Sequence, residues 1–289
     1  MIPPTFDYLV PKTLPEAVSA LGNHENAKVL AGGQSLIPLM RFRLASPAVL
    51  VDINRIEGMS YIHEDKGWLK IGAMTRESAV EDNSLIREKY PLLADTARVI
   101  SDPIVRNMGT VGGNLANADP GNDHPATMLA YGAQVAAMGP KGERVIPIDS
   151  FFIGLFESAL AANEILTEVR IPAPQPRSGG AYLKLERKVG DFATAAVAAQ
   201  VSVDAKGKFT SVGIGLTNVG LTAIKATAAE NFLKGKDTSE ENIRRAAQLA
   251  SEASQPVADA RGSEDYKRSL VKTYTVRALR LAVERAKRG

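Results

Sequence analysis

Gly109-Thr110-Val111-Gly112-Gly113-Asn114, continuing to Asp123-His124-Pro125, is the stretch whose reading decides the fold. An earlier segment, Ala31-Gly32-Gly33-Gln34-Ser35, pairs with it. Each sets two adjacent glycines beside a small polar residue and between apolar neighbours. Adjacent glycines remove side chains, so backbone N–H groups can approach something bulky and negative. Two such loops predict two sides of one phosphate-bearing ligand. Gly32, Gly33, Gln34 and Ser35 would give one set of donors, and Gly112, Gly113 and Asn114 a second. A lone Gly-Gly pair more often marks a tight turn. The polar residue directly after each pair favours the ligand.

The chain has 289 residues, 45% hydrophobic and 23% charged, enough for two domains around a sizeable core. Its net charge is +3 and its pI near 9.0, with basic residues concentrated only in the tail from Arg277 to Arg288. No aromatic-interleaved basic patch points to nucleic acid. The sequence contains no cysteine. That excludes disulfides, thiolate zinc sites, a cysteine nucleophile and an iron–sulfur cluster held by this chain. His24, His63 and His124 show no metal-ligand spacing, so no metal site is expected. The chain opens without a charged n-region and apolar core, and no apolar run approaches the ~20 residues that span a membrane. A cytoplasmic protein, not integral to a membrane, is the expectation.

Thr13-Leu14-Pro15-Glu16 fits a capping box, predicting a helix that stops at Gly22. Residues 28–31 read as a buried strand feeding the first glycine loop, residues 36–43 as a helical turn, and residues 49–53 as a second strand. This is an α/β unit with a loop at the end of its strand, where ligands tend to bind. Residues 61–62 and 68–71 form a predicted hairpin, Thr75 a predicted cap, and residues 85–100 a helix broken at Pro91. Residues 105–123 hold four glycines and predict an irregular wrap over a ligand. A helix over 125–131, a hairpin over 134–146 and a strand over 165–171 follow. The Pro/Gly-rich stretch 172–180 predicts a domain boundary. Beyond it, strands over 181–185, 194–203 and 209–217 precede helices over 223–233, 239–251 and 266–287.

Asp123 is placed to accept hydrogen bonds from ribose or ribityl hydroxyls, against the simpler reading as a turn or capping aspartate. Lys184 beside a flavin pyrimidine would stabilise an anion, and Phe192 would cover the ring system; a solvated lysine and a core phenylalanine are the plainer readings. His124 reads as a helix-start or surface residue. Arg277, Arg280 and Arg285 read as a solvated or partner-facing helix face.

Together these motifs resemble the FAD-binding medium subunits of the molybdenum hydroxylase (xanthine dehydrogenase) family, over essentially the whole chain. Within the family the likeness is to the carbon monoxide dehydrogenase branch. It rests on residues 116–123, on Lys184-Leu185-Glu186-Arg187-Lys188-Val189-Gly190-Asp191-Phe192 and on Leu216-Thr217-Asn218-Val219-Gly220. The resemblance implies an α+β fold: a two-subdomain α/β FAD-binding domain of the vanillyl-alcohol-oxidase-like (PCMH) kind over residues 1–175, split near 55. A C-terminal domain of a three-stranded antiparallel sheet plus helices, residues 176–289, would follow. It implies FAD contacts at Ala31, Gly32, Gly33, Gln34 and Ser35, and at Thr110, Val111, Gly112, Gly113 and Asn114. Asp123, Leu166, Lys184 and Phe192 are the others. Gln34 stands where a histidine is common in that branch, and Phe192 where a tyrosine is common.

The resemblance further implies partners: a large molybdopterin-binding subunit and a small subunit with two [2Fe–2S] clusters, arranged as a dimer of heterotrimers. Electrons would leave substrate at the molybdenum cofactor, cross the clusters and reach FAD, which collects single electrons and passes them on as a pair. No catalytic residue for the primary substrate is assigned to this chain. Carbon monoxide is the first substrate choice. An aldehyde, a purine or an N-heterocycle such as nicotine is the alternative. NAD, a quinone met by peripheral membrane contact, ferredoxin or oxygen are candidate acceptors. A self-contained FAD oxidoreductase and a non-redox nucleotide-binding module are the competing readings.

Overall fold

The computed structural model describes residues 2–288, so Met1 and Gly289, the outermost residues of the two expected domains, lie outside the described residues. The chain opens with β1 (Asp7–Leu9), α1 (Leu14–Asn23), β2 (Ala27–Leu30), α2 (Leu36–Arg41) and β3 (Val49–Asp52). The three strands are parallel, in the order β1-β3-β2. Helix α1 starts as its sequence requires: Thr13 Oγ1 accepts the Glu16 N–H, and Glu16 in turn accepts the Lys12 N–H at 2.9 Å.

A hairpin, β4 (Ile62–Asp65) and β5 (Trp68–Gly72), comes next, then α3 (Glu77–Asp82), α4 (Ser84–Lys89), α5 (Pro91–Val99), α6 (Pro103–Met108), α7 (Val111–Asn117) and α8 (Asp123–Tyr131). Strands β6 (Gln134–Gly139) and β7 (Gly142–Pro147) form the second expected hairpin. After the short ribbon β8 (Phe152–Gly154) and β9 (Glu157–Ser158), β10 (Ile165–Pro172) returns between β5 and β6. The resulting five-stranded sheet is antiparallel throughout, in the order β4-β5-β10-β6-β7.

The C-terminal part is a meander, β11 (Ser178–Leu185), β12 (Ala195–Val203), β13 (Phe209–Thr217) and β14 (Ile224–Lys225), followed by α9 (Thr227–Leu233), α10 (Glu240–Ala253) and α11 (Glu264–Arg288). Strand β12 is apolar except at Gln200 and Ser202, as suits a strand with both faces covered. Ala195, Val197, Ala199, Val201 and Val203 pack toward α9, α10 and α11. Ala196 and Ala198, on the other face, join Leu92 of α5 and Ala126 and Ala130 of α8. The second seam is unusually close. A Cβ at Gly213 would stand 1.9 Å from Ala130 O, and one at Gly215 2.0 Å from Ala126 O, so main chain rests on main chain.

Four expectations change. Residues 105–123 are not an irregular wrap: Asp102 and Thr110 cap two short helices, α6 and α7. Thr75 does not cap; its hydroxyl bonds the Tyr61 backbone, and Arg76 holds the N-cap position of α3. Residues 224–225 leave the expected helix to add a fourth, two-residue strand to the C-terminal sheet. Arg285 is not solvated: it reaches across to Asp95 of α5 and to Gly180 O. Among the described residues, no helix is long and apolar enough to cross a membrane.

The seam makes a stability prediction. Gly213→Ala or Gly215→Ala should each lower unfolding free energy by about 2–3 kcal/mol, because backbone must move to admit the methyl. Gly22→Ala in α1, where the nearest atom is 3.9 Å away, should instead be neutral or stabilising by roughly 0.5 kcal/mol. Urea unfolding midpoints of the three variants test the contrast.

Candidate functional site

The first glycine loop leaves the end of β2 and turns into α2. Gly33 has φ +74°, the left-handed region that glycine adopts without penalty. Among the described residues, the N–H groups of Gly32, Gly33, Gln34, Ser35 and Leu36 find no acceptor. A run of free donors of this kind suits an anion with several oxygens. Gly32 has a different task. A Cβ there would lie 2.2 Å from Met108 O and 2.8 Å from the Gly109 Cα. The two loops therefore touch through bare backbone.

Arg76 and Asn54 fasten that junction. Asn54 Nδ2 donates to Ala31 O at 2.7 Å, and its Oδ1 accepts from Arg76 Nη2 at 2.8 Å. Arg76 Nη1 donates to Met108 O. One polar relay thus ties the carbonyls of both loops. Neither residue carried a sequence signal, since these contacts span more than twenty positions.

The second loop corrects an expectation. Gly112, Gly113 and Asn114 do not form a free donor set. Gly112 N–H donates to Ala73 O at 2.9 Å, Asn114 N–H to Thr110 O at 2.9 Å, and Gly113 N–H to the capping Thr110 Oγ1 at 3.1 Å. Val111 N–H is likewise spent on Thr75 O. Gly112 is needed because its Cβ would fall 2.6 Å from that of Ala73. What the loop retains is Asn114 Oδ1, buried without a partner. Leu166 lies beneath, in the core with Val111 and Leu115, and at 4% exposure its side chain supports α7 from below.

Asp123 and Lys184, 61 residues apart, meet. Lys184 Nζ lies 2.9 Å from Asp123 Oδ2 and 2.9 Å from Val99 O. Tyr182 OH donates to Asp123 Oδ1 at 2.7 Å, so the Thr217 hydroxyl, 3.0 Å away, donates to Tyr182. The ammonium is 2% exposed and the carboxylate 6%. Asp123 is thus not an open acceptor for sugar hydroxyls, and Lys184 is neither solvated nor free; its ammonium is shared among Asp123, Val99 O and, at 3.5 Å, Glu186 Oε2. Burial pushes the Asp123 carboxyl above its usual range, against the pull of Lys184 and Tyr182.

His124 begins α8 as expected but is fully buried, not at the surface. Its Nε2 stands 2.7 Å from Glu77 Oε2. An ionised carboxylate only accepts, and with Glu77 in that form Nε2 is the donor. His124 Nδ1 and Glu77 Oε1 are left without partners. Phe192, half-exposed at 48%, lies over Gly121: its Cδ1 is 3.0 Å from where a Gly121 Cβ would be. Asn122 Nδ2 donates to Asn114 O at 2.8 Å. The chain of contacts is therefore continuous, from Ala31 through Gly113 and Asn122 to Lys184 and Phe192.

Comparison with known proteins adds to this geometry. Residues 4–174 match the family model described as the FAD binding domain in molybdopterin dehydrogenase. Residues 180–282 match that of the CO dehydrogenase flavoprotein C-terminal domain. The chain is 43% identical over 284 residues to the carbon monoxide dehydrogenase medium chain of Hydrogenophaga pseudoflava, covering 98% of each. It is 36% identical to the 6-hydroxypseudooxynicotine dehydrogenase complex subunit alpha of Paenarthrobacter nicotinovorans, covering 99% of this chain and 97% of that one. A solved carbon monoxide dehydrogenase from Hydrogenophaga pseudoflava, lacking the Mo-pyranopterin moiety, superposes with a TM-score of 0.96 at 44% identity and covers 99% of both chains.

The buried pair can be dissected. Lys184→Met leaves Asp123 without its counter-charge and should cost about 3 kcal/mol of stability. Tyr182→Phe removes one hydrogen bond and should cost only about 1 kcal/mol. Equilibrium unfolding in urea at neutral pH reads the difference, and equal losses would contradict the assignment.

Proposed function

This chain belongs to the FAD-binding medium subunits of the molybdenum hydroxylase family, of the carbon monoxide dehydrogenase type, and we propose that it is the electron-carrying station of such a complex. In this reading it takes electrons from iron–sulfur clusters of a small subunit and delivers them to an external acceptor. The observation that carries it is the row of unmatched N–H groups from Gly32 to Leu36, beside a second glycine loop pressed against the first. A diphosphate bridge fits such a row: several donors converge and no free carboxylate competes.

Bound FAD supplies the redox chemistry, since a flavin can exchange electrons singly and in pairs. The chain's own residues bind and orient. Ala31, Gly32, Gly33, Gln34 and Ser35 would hold the diphosphate. Thr110, Val111, Gly112, Gly113 and Asn114 would line the site beside them, with Asn114 Oδ1 as an unpartnered acceptor. Arg76 and Asn54 keep the two loops at fixed separation. Asp123 and Lys184 peg α8 to β11, Leu166 supports α7, and Phe192 would screen the ring system from water.

Composition supports this division of labour. A chain without cysteine has no thiolate for a cluster, which fits single electrons arriving from another subunit. A large subunit would hold the molybdenum cofactor and the substrate pocket, with the two units of this chain meeting near residue 175. Carbon monoxide is the substrate we assign to the complex, on the 43% identity over nearly the full length.

Purified with its partner subunits, the protein should be yellow, with close to one FAD per chain. Gly32→Val should reduce FAD occupancy at least about tenfold, because its side chain would wedge the loops apart. Gln34→Ala, which leaves the backbone donors in place, should reduce it far less. Flavin absorbance per chain is the measurement, and a colourless complex that takes up no added FAD would sink the reading.

A further inference from the structure

Phe192 sits on a loop, residues 186–193, that bulges from the ladder between β11 and β12, closed at its base where Thr194 N–H donates to Leu185 O at 2.7 Å. Val189 on the same loop is 92% exposed. A loop tip of this kind is ordinarily mobile, and an aromatic ring upon it poorly placed. Here the next residue back is the best-anchored group in the loop. Asp191 Oδ1 accepts the Phe192 N–H at 2.8 Å, and the carboxylate is 10% exposed.

Two guanidinium groups grip that carboxylate from opposite sides. Arg187 Nε lies 3.0 Å from Oδ2, within the loop itself. Arg261 Nη2 lies 3.0 Å from Oδ1, from 70 residues away. The turn that presents Arg261 is itself tied down. Asp259 and Gly262 exchange backbone hydrogen bonds at 3.1 Å, and Asp259 Oδ1 accepts the Arg261 N–H. Lys267 of α11, 3% exposed, binds both Val257 O and Asp259 at 2.9 Å. On the far side, Gly190 presses against Ser101, 3.2 Å from where its Cβ would stand. Every element that touches the loop thus fixes its course.

We propose that Asp191 is a positioning residue for Phe192: clamped between Arg187 and Arg261, it holds the ring over Gly121 at the mouth of the FAD site. The inference rests on the function proposed above and deepens it, since the C-terminal turn 257–262 becomes part of the site's closure. Asp119, whose Oδ1 accepts the Gly121 N–H at 2.8 Å, feels the same Arg261 charge. Burial raises the Asp191 carboxyl, but the Arg261 and Arg187 hydrogen bonds outweigh it and hold the group at about 2. The clamp therefore stays charged across the range in which proteins function.

The test separates the clamp from the cofactor. In the FAD-free chain, trypsin cleavage after Arg187 and Lys188 should accelerate about tenfold in Asp191→Ala and in Arg261→Ala, with Arg261→Lys restoring most of the protection. In the FAD-loaded complex, both alanine variants should release FAD about tenfold faster and admit iodide to the flavin, as Phe192→Ala should. The double variant Asp191→Ala/Phe192→Ala should be no worse than either single change. Unchanged tryptic cleavage overturns the clamp whatever the flavin does. Faster cleavage with unchanged FAD release, while Phe192→Ala releases it quickly, overturns the positioning role. Equal additive losses in the double variant do the same. If the wild-type complex binds no FAD, the proposed function itself falls, and the tryptic rates still decide whether Asp191 holds the loop.

Discussion

Helix α8 lies flat against the C-terminal sheet because β13 offers no side chains at Gly213 and Gly215. The rest of the site depends on that bare seam. Ordinary side chains would hold a helix several ångströms farther from a sheet. Here the approach brings the first turn of α8 within hydrogen-bond reach of Tyr182 and Lys184 on β11. The same device recurs where Gly112 meets Ala73 and Gly32 meets Met108. In each case a missing Cβ sets a distance, and a polar contact beside it sets the direction.

Those polar contacts are costly ones. Taking the Asp123–Lys184 pair out of water carries a desolvation penalty that can exceed the attraction between the two charges. Apolar residues of similar size would hold α8 in place at less cost. They would not hold it in one register, however. A carboxylate with one oxygen on Tyr182 and the other on Lys184 tolerates little sliding of helix against strand. The relay from Ala31 O through Asn54 and Arg76 to Met108 O does the same for the two glycine loops. Stability is exchanged for position, which is what a site that must hold a large rigid ligand requires.

The strands and hairpins were legible in the sequence because period-two alternation and turn residues are local signals, and the family likeness lay in short contiguous motifs. The helices α6 and α7 were not read. Gly109, Gly112 and Gly113 weigh against helix by propensity, and tertiary contact with Ala73 overrides them. Asp102-Pro103 and Thr110 were nonetheless available as caps. Strand β1 is three residues long and β14 two, too short for any pattern to mark. Asn54, Arg76, Glu77 and Tyr182 had no signal at all. Each matters through a partner tens of residues away, and only folding brings the pair together. The spent donors of the second glycine loop were misread for a related reason: a Gly-Gly pair looks the same whether it approaches a ligand or its own main chain.

The state of the ionisable groups bears on the kind of chemistry this chain can host. A general acid or base needs a proton-transferring atom that faces the reaction and is not already committed. Asp123, Lys184 and Tyr182 are committed to one another, and Arg76 to the Met108 carbonyl and the Asn54 side-chain oxygen. His124 and Glu77 each keep one unpartnered atom, but both are sealed beneath the second loop at 2% exposure or less. The first glycine loop instead offers backbone N–H groups without acceptors among the described residues, and Phe192 offers a half-exposed ring. Such a surface can bind, orient and exclude water, and it leaves the reaction to whatever it holds. This arrangement is suited to a carrier whose reactivity resides in its cofactor, and ill suited to a hydrolase or transferase acting through its own side chains.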